Sequence, residues 1–160
     1  MLKVIAMSWP LLLGVMMLMV GNGMQGSLLG IRGTLEGFAT FELSVVMSAY
    51  FAGFLFGSLT VPAMIRRVGH VRVFAALGSL ISAVLVVYPV APDWLVWSAL
   101  RMLSGFCFCG VYITAESWLN NTATNETRGQ ALSAYMIVQM IGIISSQVLL
   151  NVDEPTSFTL

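Results

Sequence analysis

The chain has 160 residues, 58% of them hydrophobic and only 9% charged, with a mean hydropathy of +0.91. A water-soluble domain carries about 25% charged residues, so a soluble enzyme of this size is excluded for want of polar side chains to cover its surface. Seven Lys plus Arg balance seven Asp plus Glu, which leaves no basic footprint for nucleic acid.

Long charge-free runs set the predicted elements. They cover Val4 to Ile31 (28 residues), Leu43 to Ile65 (23), Val73 to Pro92 (20) and Gly129 to Val152 (24). At 1.5 Å per residue even the shortest reaches about 30 Å, the thickness of a bilayer hydrocarbon core. A fifth apolar run, Trp94 to Ala115, is broken only by Arg101. The pattern predicts an all-α, polytopic membrane protein with five transmembrane helices over about residues 9–31, 43–65, 72–90, 94–116 and 129–150.

The first span is expected to start at Ser8 as N-cap, with Pro10 in the first turn. The run after Lys3 is too long for a signal peptide and lacks a small-residue cleavage site. Arg32 to Glu42 reads as a loop with Gly33 and Gly37 as breakers. Span two ends at Arg66-Arg67, and Gly69-His70 forms a very short link to span three. Pro89, Pro92 and Asp93 separate spans three and four. Asn120 to Thr127 is a polar connector, Arg128-Gly129 opens span five, and Asp153-Glu154-Pro155 closes it.

Lys and Arg are retained on the cytoplasmic side. Counting alternate sides gives Lys3, Arg66, Arg67, Arg72 and Arg128 on one face and Arg32 alone on the other. The expected topology therefore has a cytoplasmic N-terminus and the C-terminal end of this chain outside. Trp9 and Trp118 fall near the inner boundary, and Tyr88, Trp94 and Trp97 near the outer one, where amphipathic rings favour the headgroup level.

Polar side chains divide the spans. Span three has no Asn, Gln, Asp, Glu, Lys or Arg between Val73 and Val90 and reads as peripheral. Spans one, four and five carry Asn22 and Gln25, Arg101 and Glu116, and Gln139 and Gln147, groups that must face protein or water.

Arg101 is the strongest signal, because an arginine deep in a span costs at least ~2.5 to 3.5 kcal/mol on insertion scales. Its two readings are a cavity-facing group and a side chain that snorkels towards the headgroups. Glu116 lies about 22 Å along the same helix, too far to neutralise it. At 100° per residue, Arg101, Gly105, Tyr112 and Glu116 share a stripe about 60° wide, with Cys109 close by. Glu116 reads equally as a structural ion-pair partner or a proton-coupling group. Asn22, Gln25, Gln139 and Gln147 read either as substrate contacts or as interhelical hydrogen bonds worth about 1 kcal/mol. Gly26-Gly30 and Gly53-Gly57 have the spacing that lets helix backbones approach closely.

Met16, Met17, Met19 and Met24 read as packing residues rather than metal ligands. Cys107 and Cys109 have neither the spacing of a zinc site nor that of a disulfide framework, and His70 reads as a solvated loop residue. No nucleophile–base pair or phosphate-binding glycine loop points to an enzyme or a cofactor.

These features together resemble the first five helices of a major facilitator superfamily transporter. That family places a basic, Gly-containing turn between helices two and three, where this chain has Pro62-Ala63-Met64-Ile65-Arg66-Arg67-Val68-Gly69-His70-Val71-Arg72. Pro62 replaces the family's leading Gly and Arg66 its usual acid. The family's fourth helix carries an arginine followed four residues later by glycine, matched by Arg101 and Gly105. Glu116-Ser117-Trp118, Arg128-Gly129 and the helix holding Tyr135 resemble the YcaD-like bacterial branch.

The resemblance implies an ion- or proton-coupled secondary transporter of a small solute in the cytoplasmic membrane. Helices one, two, four and five would line a cavity, with Arg101, Asn22, Gln25, Glu116, Gln139 and Tyr112 as its polar residues. Arg66, Arg67, Gly69 and Arg72 would gate the inner mouth, and Gly53, Gly57 and Gly105 would serve helix packing. Family members have two six-helix halves, so this chain is expected to be an N-terminal portion whose sixth helix and second half are missing. The alternative is a small, non-transporting membrane protein that assembles with a partner through its glycine faces.

Overall fold

The computed structural model describes residues 2–151, with side chains described from Ser8 onward. The Lys3 side chain and the Asp153-Glu154-Pro155 close of span five lie outside that description. The architecture is all-α: α1 (Leu2–Leu35), α2 (Thr40–Val68), α3 (His70–Val87), α4 (Trp94–Thr122) and α5 (Arg128–Leu149). All five are long and apolar enough to cross a bilayer. α3, the shortest at 18 residues, still extends about 27 Å.

Several helices outrun their charge-free cores. α1 passes through Pro10, so Ser8 is not its N-cap, and it continues through Arg32 and Gly33 to Leu35. Its end is a Schellman motif, in which Phe38 N–H donates to Gly33 O at 3.0 Å and Gly37 N–H to Thr34 O at 3.2 Å. Gly37 takes the required positive φ of 80°. The loop expected over Arg32 to Glu42 thus shrinks to the residues around Gly37. α2 then begins with Ala39 N–H donating to Glu42 Oε2 at 2.8 Å, the glutamate's half of a capping box.

One residue, Gly69, joins α2 to α3. Its N–H donates to Ile65 O at 2.9 Å, and its carbonyl accepts from Val73 N–H at 3.2 Å. With φ 86° and ψ 162° it occupies a backbone region essentially restricted to glycine. α4 is capped by Asp93, whose Oδ1 accepts from Leu95 N–H at 2.9 Å and Val96 N–H at 3.1 Å.

The chain forms two compact units, one of Met1–Ile31 with Ala115–Leu160 and one of Arg32–Thr114. In the second, α3 buries the single stripe Val73, Leu77, Ile81 and Val84 and exposes Leu80, Val86 and Val87. Tyr88 and Trp97, expected near the outer boundary, turn their rings into the unit. Both are buried, their rings meet edge-on at 5.7 Å, and Trp97 Nε1 donates to Tyr88 O at 3.3 Å. Phe38 also meets Trp97 edge-on, at 5.1 Å between ring centroids. An internal aromatic cluster closes this end of the unit because the indole N–H finds a carbonyl inside the protein.

Candidate functional site

The Arg32–Thr114 unit is organised by a close crossing of α2 and α4. A Cβ at Gly53 would collide with Met102 O, and one at Gly105 with Tyr50 O. At Gly57 it would stand 2.9 Å from Phe106 O and 3.0 Å from Cys109 Cβ. Glycines on both helices therefore let each backbone rest on the other. Gly110 admits Leu77 of α3 and Val61 of α2 beside the same seam.

Arg101 lies beside this crossing and is only 8% exposed. Its guanidinium carbon sits 4.9 Å from the centroid of the Tyr50 ring, within cation–π range. Arg101 Nη2 reaches Met47 Sδ at 3.8 Å, while Nε is buried without a hydrogen-bond partner among the described residues. The local answer to a cation within a span is thus an aromatic face and a polarizable sulfur on α2. Tyr112, two turns past Gly105 along α4, meets Phe54 of α2 at 6.2 Å between ring centroids. Three members of the predicted α4 stripe, Arg101, Gly105 and Tyr112, together with the neighbouring Cys109, accordingly pack on α2.

Tyr50 and Met47 were not singled out by the sequence. Each reads as an ordinary apolar or aromatic residue of a span, and only the crossing brings them to Arg101.

In the other unit Gln25 is buried, Asn22 and Gln139 are half-buried, and Glu116 is exposed near the end of α4. Arg101 and Tyr112 belong to the Arg32–Thr114 unit, whereas Asn22, Gln25, Glu116 and Gln139 belong to this one. Within it α1 and α5 approach at Gly23, where a Cβ would strike Ser146, and at Gly142, where it would stand 2.9 Å from Met16 O. Gln147 Nε2 donates to Gly23 O at 3.3 Å, the interhelical one of its two readings. Gly26, expected to pair with Gly30 at a helix contact, has open space where a methyl would sit, with no neighbouring atom within 4 Å; the contact falls three residues earlier. An open groove of about 320 Å³ runs between Trp9, Leu12 and Met16 of α1 and Ala134 and Ile137 of α5. Its apolar lining offers little to orient a polar solute.

At the α2–α3 turn Arg66, Arg67, Gly69 and Arg72 are all exposed. Cys107 and Cys109 are buried free thiols.

Comparison with known proteins places these features. The sequence profile of the Major Facilitator Superfamily matches residues 11–150. An uncharacterized MFS-type transporter of Enterobacter sp. (strain 638) is 26% identical over 141 residues, covering 88% of this chain and 37% of the relative. The uncharacterized MFS-type transporter YcaD of Escherichia coli O45:K1 (strain S88 / ExPEC) is 28% identical over the same length and shares. The chain thus spans little more than a third of the length of these relatives. No solved structure gives a significant match. With five membrane-spanning helices in the order of that family's N-terminal bundle, the chain is a multi-pass membrane protein and belongs to the Major Facilitator Superfamily.

Proposed function

We propose that this chain is the N-terminal portion of a secondary active transporter that moves a small solute across the bacterial cytoplasmic membrane by alternating access, coupled to protons or another ion. The observation that carries the reading is the family match over residues 11–150, together with relatives named as MFS-type transporters. Alternating access needs a second bundle against which the first can rock. The relatives are long enough to contain one, since the chain covers 37% of their length. In this reading Arg101 tunes a proton site or holds an anionic group, Asn22, Gln25 and Gln139 contact solute, and Glu116 and Tyr112 complete the polar lining. Arg66, Arg67, Gly69 and Arg72 gate the cytoplasmic mouth. The assembly reading loses part of its motivation, because Gly53 and Gly57 are occupied by α4 of the same chain.

Sequencing past the codon for Leu160 is expected to reveal an open frame with about seven more apolar spans, completing two six-helix halves; an immediate stop with a stable five-helix product overturns the proposal. In vesicles holding the full-length product, Arg101→Ala is expected to change transport or its pH dependence, and unchanged values of both remove Arg101 from the mechanism. The orientation is checked with single cysteines in a background lacking Cys107 and Cys109. His70→Cys and Asn121→Cys are expected to label from the cytoplasm and Ala91→Cys from outside; His70 and Asn121 on opposite faces would sink the topology.

A further inference from the structure

We infer that the α2–α3 turn is a binding site for anionic phospholipid, in which Arg66, Arg67 and Arg72 hold the headgroup phosphate and Val68 and Val71 enter the acyl boundary. The first support is charge without compensation. From Leu43 to Pro92 the sequence contains no Asp or Glu, and its only formal charges are these three arginines. Arg66, Arg67 and Arg72 are all exposed, and none has an ion pair or hydrogen bond from its side chain among the described residues.

The second support is where the helix ends place them. Arg66 and Arg67 occupy the last turn of α2, where cations complement the negative end of the helix dipole. Arg72 does the reverse. It sits in the first turn of α3, which begins at His70, so a guanidinium stands at the positive end of a helix whose opening N–H groups themselves favour an anion. A single residue separates the two helices, so this positive end cannot retreat from the arginines of α2. A phosphate resolves the conflict at α3.

The third support selects lipid over a soluble anion. Val68 and Val71 lie between the arginines and are 46% and 61% exposed. Apolar side chains interleaved with arginines, at the junction of two membrane spans, match the acyl–headgroup boundary. Soluble phosphate would give those valines nothing to cover them. This assignment needs only that the chain crosses a bilayer, so its outcome is independent of whether the protein transports.

The test uses the purified chain in neutral detergent, with bound lipid counted by native mass spectrometry. Phosphatidylglycerol is expected to bind at least about tenfold more tightly than phosphatidylcholine. Each arginine contributes about fivefold at a membrane surface, so the triple variant Arg66→Gln, Arg67→Gln, Arg72→Gln is expected to lose roughly 100-fold in affinity. The corresponding triple Lys variant retains most of it, and Arg128→Gln, beside Glu126, changes it less than about twofold. Equal binding of the two lipids by the unmodified chain overturns the inference without any variant having to fold. Undiminished phosphatidylglycerol binding by a folded triple Gln variant overturns it as well. Displacement of the lipid by an equal concentration of inorganic phosphate would make this a free-anion site and likewise refute the lipid assignment.

Discussion

Replacing Gly105 by Ala adds one methyl where α4 lies on α2. The new Cβ would overlap Tyr50 O, stand 2.8 Å from the Tyr50 carbonyl carbon and 3.1 Å from Phe54 N. Favourable carbon–carbon separations are about 3.5–4.0 Å, so the helices must part by about 1 Å. The obstructing atoms are helical backbone and cannot swing aside as a side-chain tip does. Overpacking of this kind costs about 1–3 kcal/mol. At Gly26, by contrast, a methyl meets nothing within 4 Å. There the substitution only restricts the unfolded backbone and is expected to stabilise by about 0.5–1 kcal/mol. Unfolding in mixed micelles with increasing dodecyl sulfate, followed by circular dichroism, measures both. Gly105→Ala should unfold at lower detergent fraction than the parent and Gly26→Ala at higher. The Gly53→Ala, Gly105→Ala double variant should cost less than the sum of the singles, since one separation relieves both clashes. Equal shifts for Gly105→Ala and Gly26→Ala would refute the argument from close approach.

Gly69→Ala forces a side chain into the backbone region at φ 86°, ψ 162° and should destabilise by about 1–3 kcal/mol; a neutral result in the same titration would mean the turn adopts another conformation. Tyr50→Leu removes the ring under Arg101 and should cost about 0.5–2 kcal/mol. An undiminished loss from Tyr50→Leu in an Arg101→Met background would show that no cation–π coupling exists. Trp97→Phe removes the bond to Tyr88 O while preserving most of the ring packing, and should cost about 0.5–1.5 kcal/mol, read as a lowered unfolding midpoint.

The helices were legible because hydrocarbon excludes charge, and that one constraint marks Leu43 to Ile65 or Val73 to Pro92 without reference to neighbours. The same constraint misses helix ends. α1 runs on through Arg32 to Leu35, and α4 through Asn120 and Asn121 to Thr122, because a helix continues through the headgroup layer where charges and amides are welcome. Arg101 was found because a guanidinium within a span is costly wherever it points. Its surroundings were not, since Tyr50 and Met47 belong to another helix and no periodicity links positions across a tertiary crossing. The glycines illustrate the same limit. Gly53 and Gly57 do meet α4, but at the α1–α5 contact the working residues are Gly23 and Gly142, and Gly142 has no glycine partner four residues away to advertise it.

The Arg101 contact also carries an order in time. Met47, which its guanidinium reaches, precedes it by 54 residues, so the ribosome has delivered all of α2 before the fourth span emerges. An arginine entering lipid alone would meet the full insertion penalty of at least ~2.5 to 3.5 kcal/mol, but here the Tyr50 face and the Gly53 notch are already waiting when it arrives. Translation from N- to C-terminus thereby lets an early hydrophobic helix chaperone the integration of a later, less hydrophobic one.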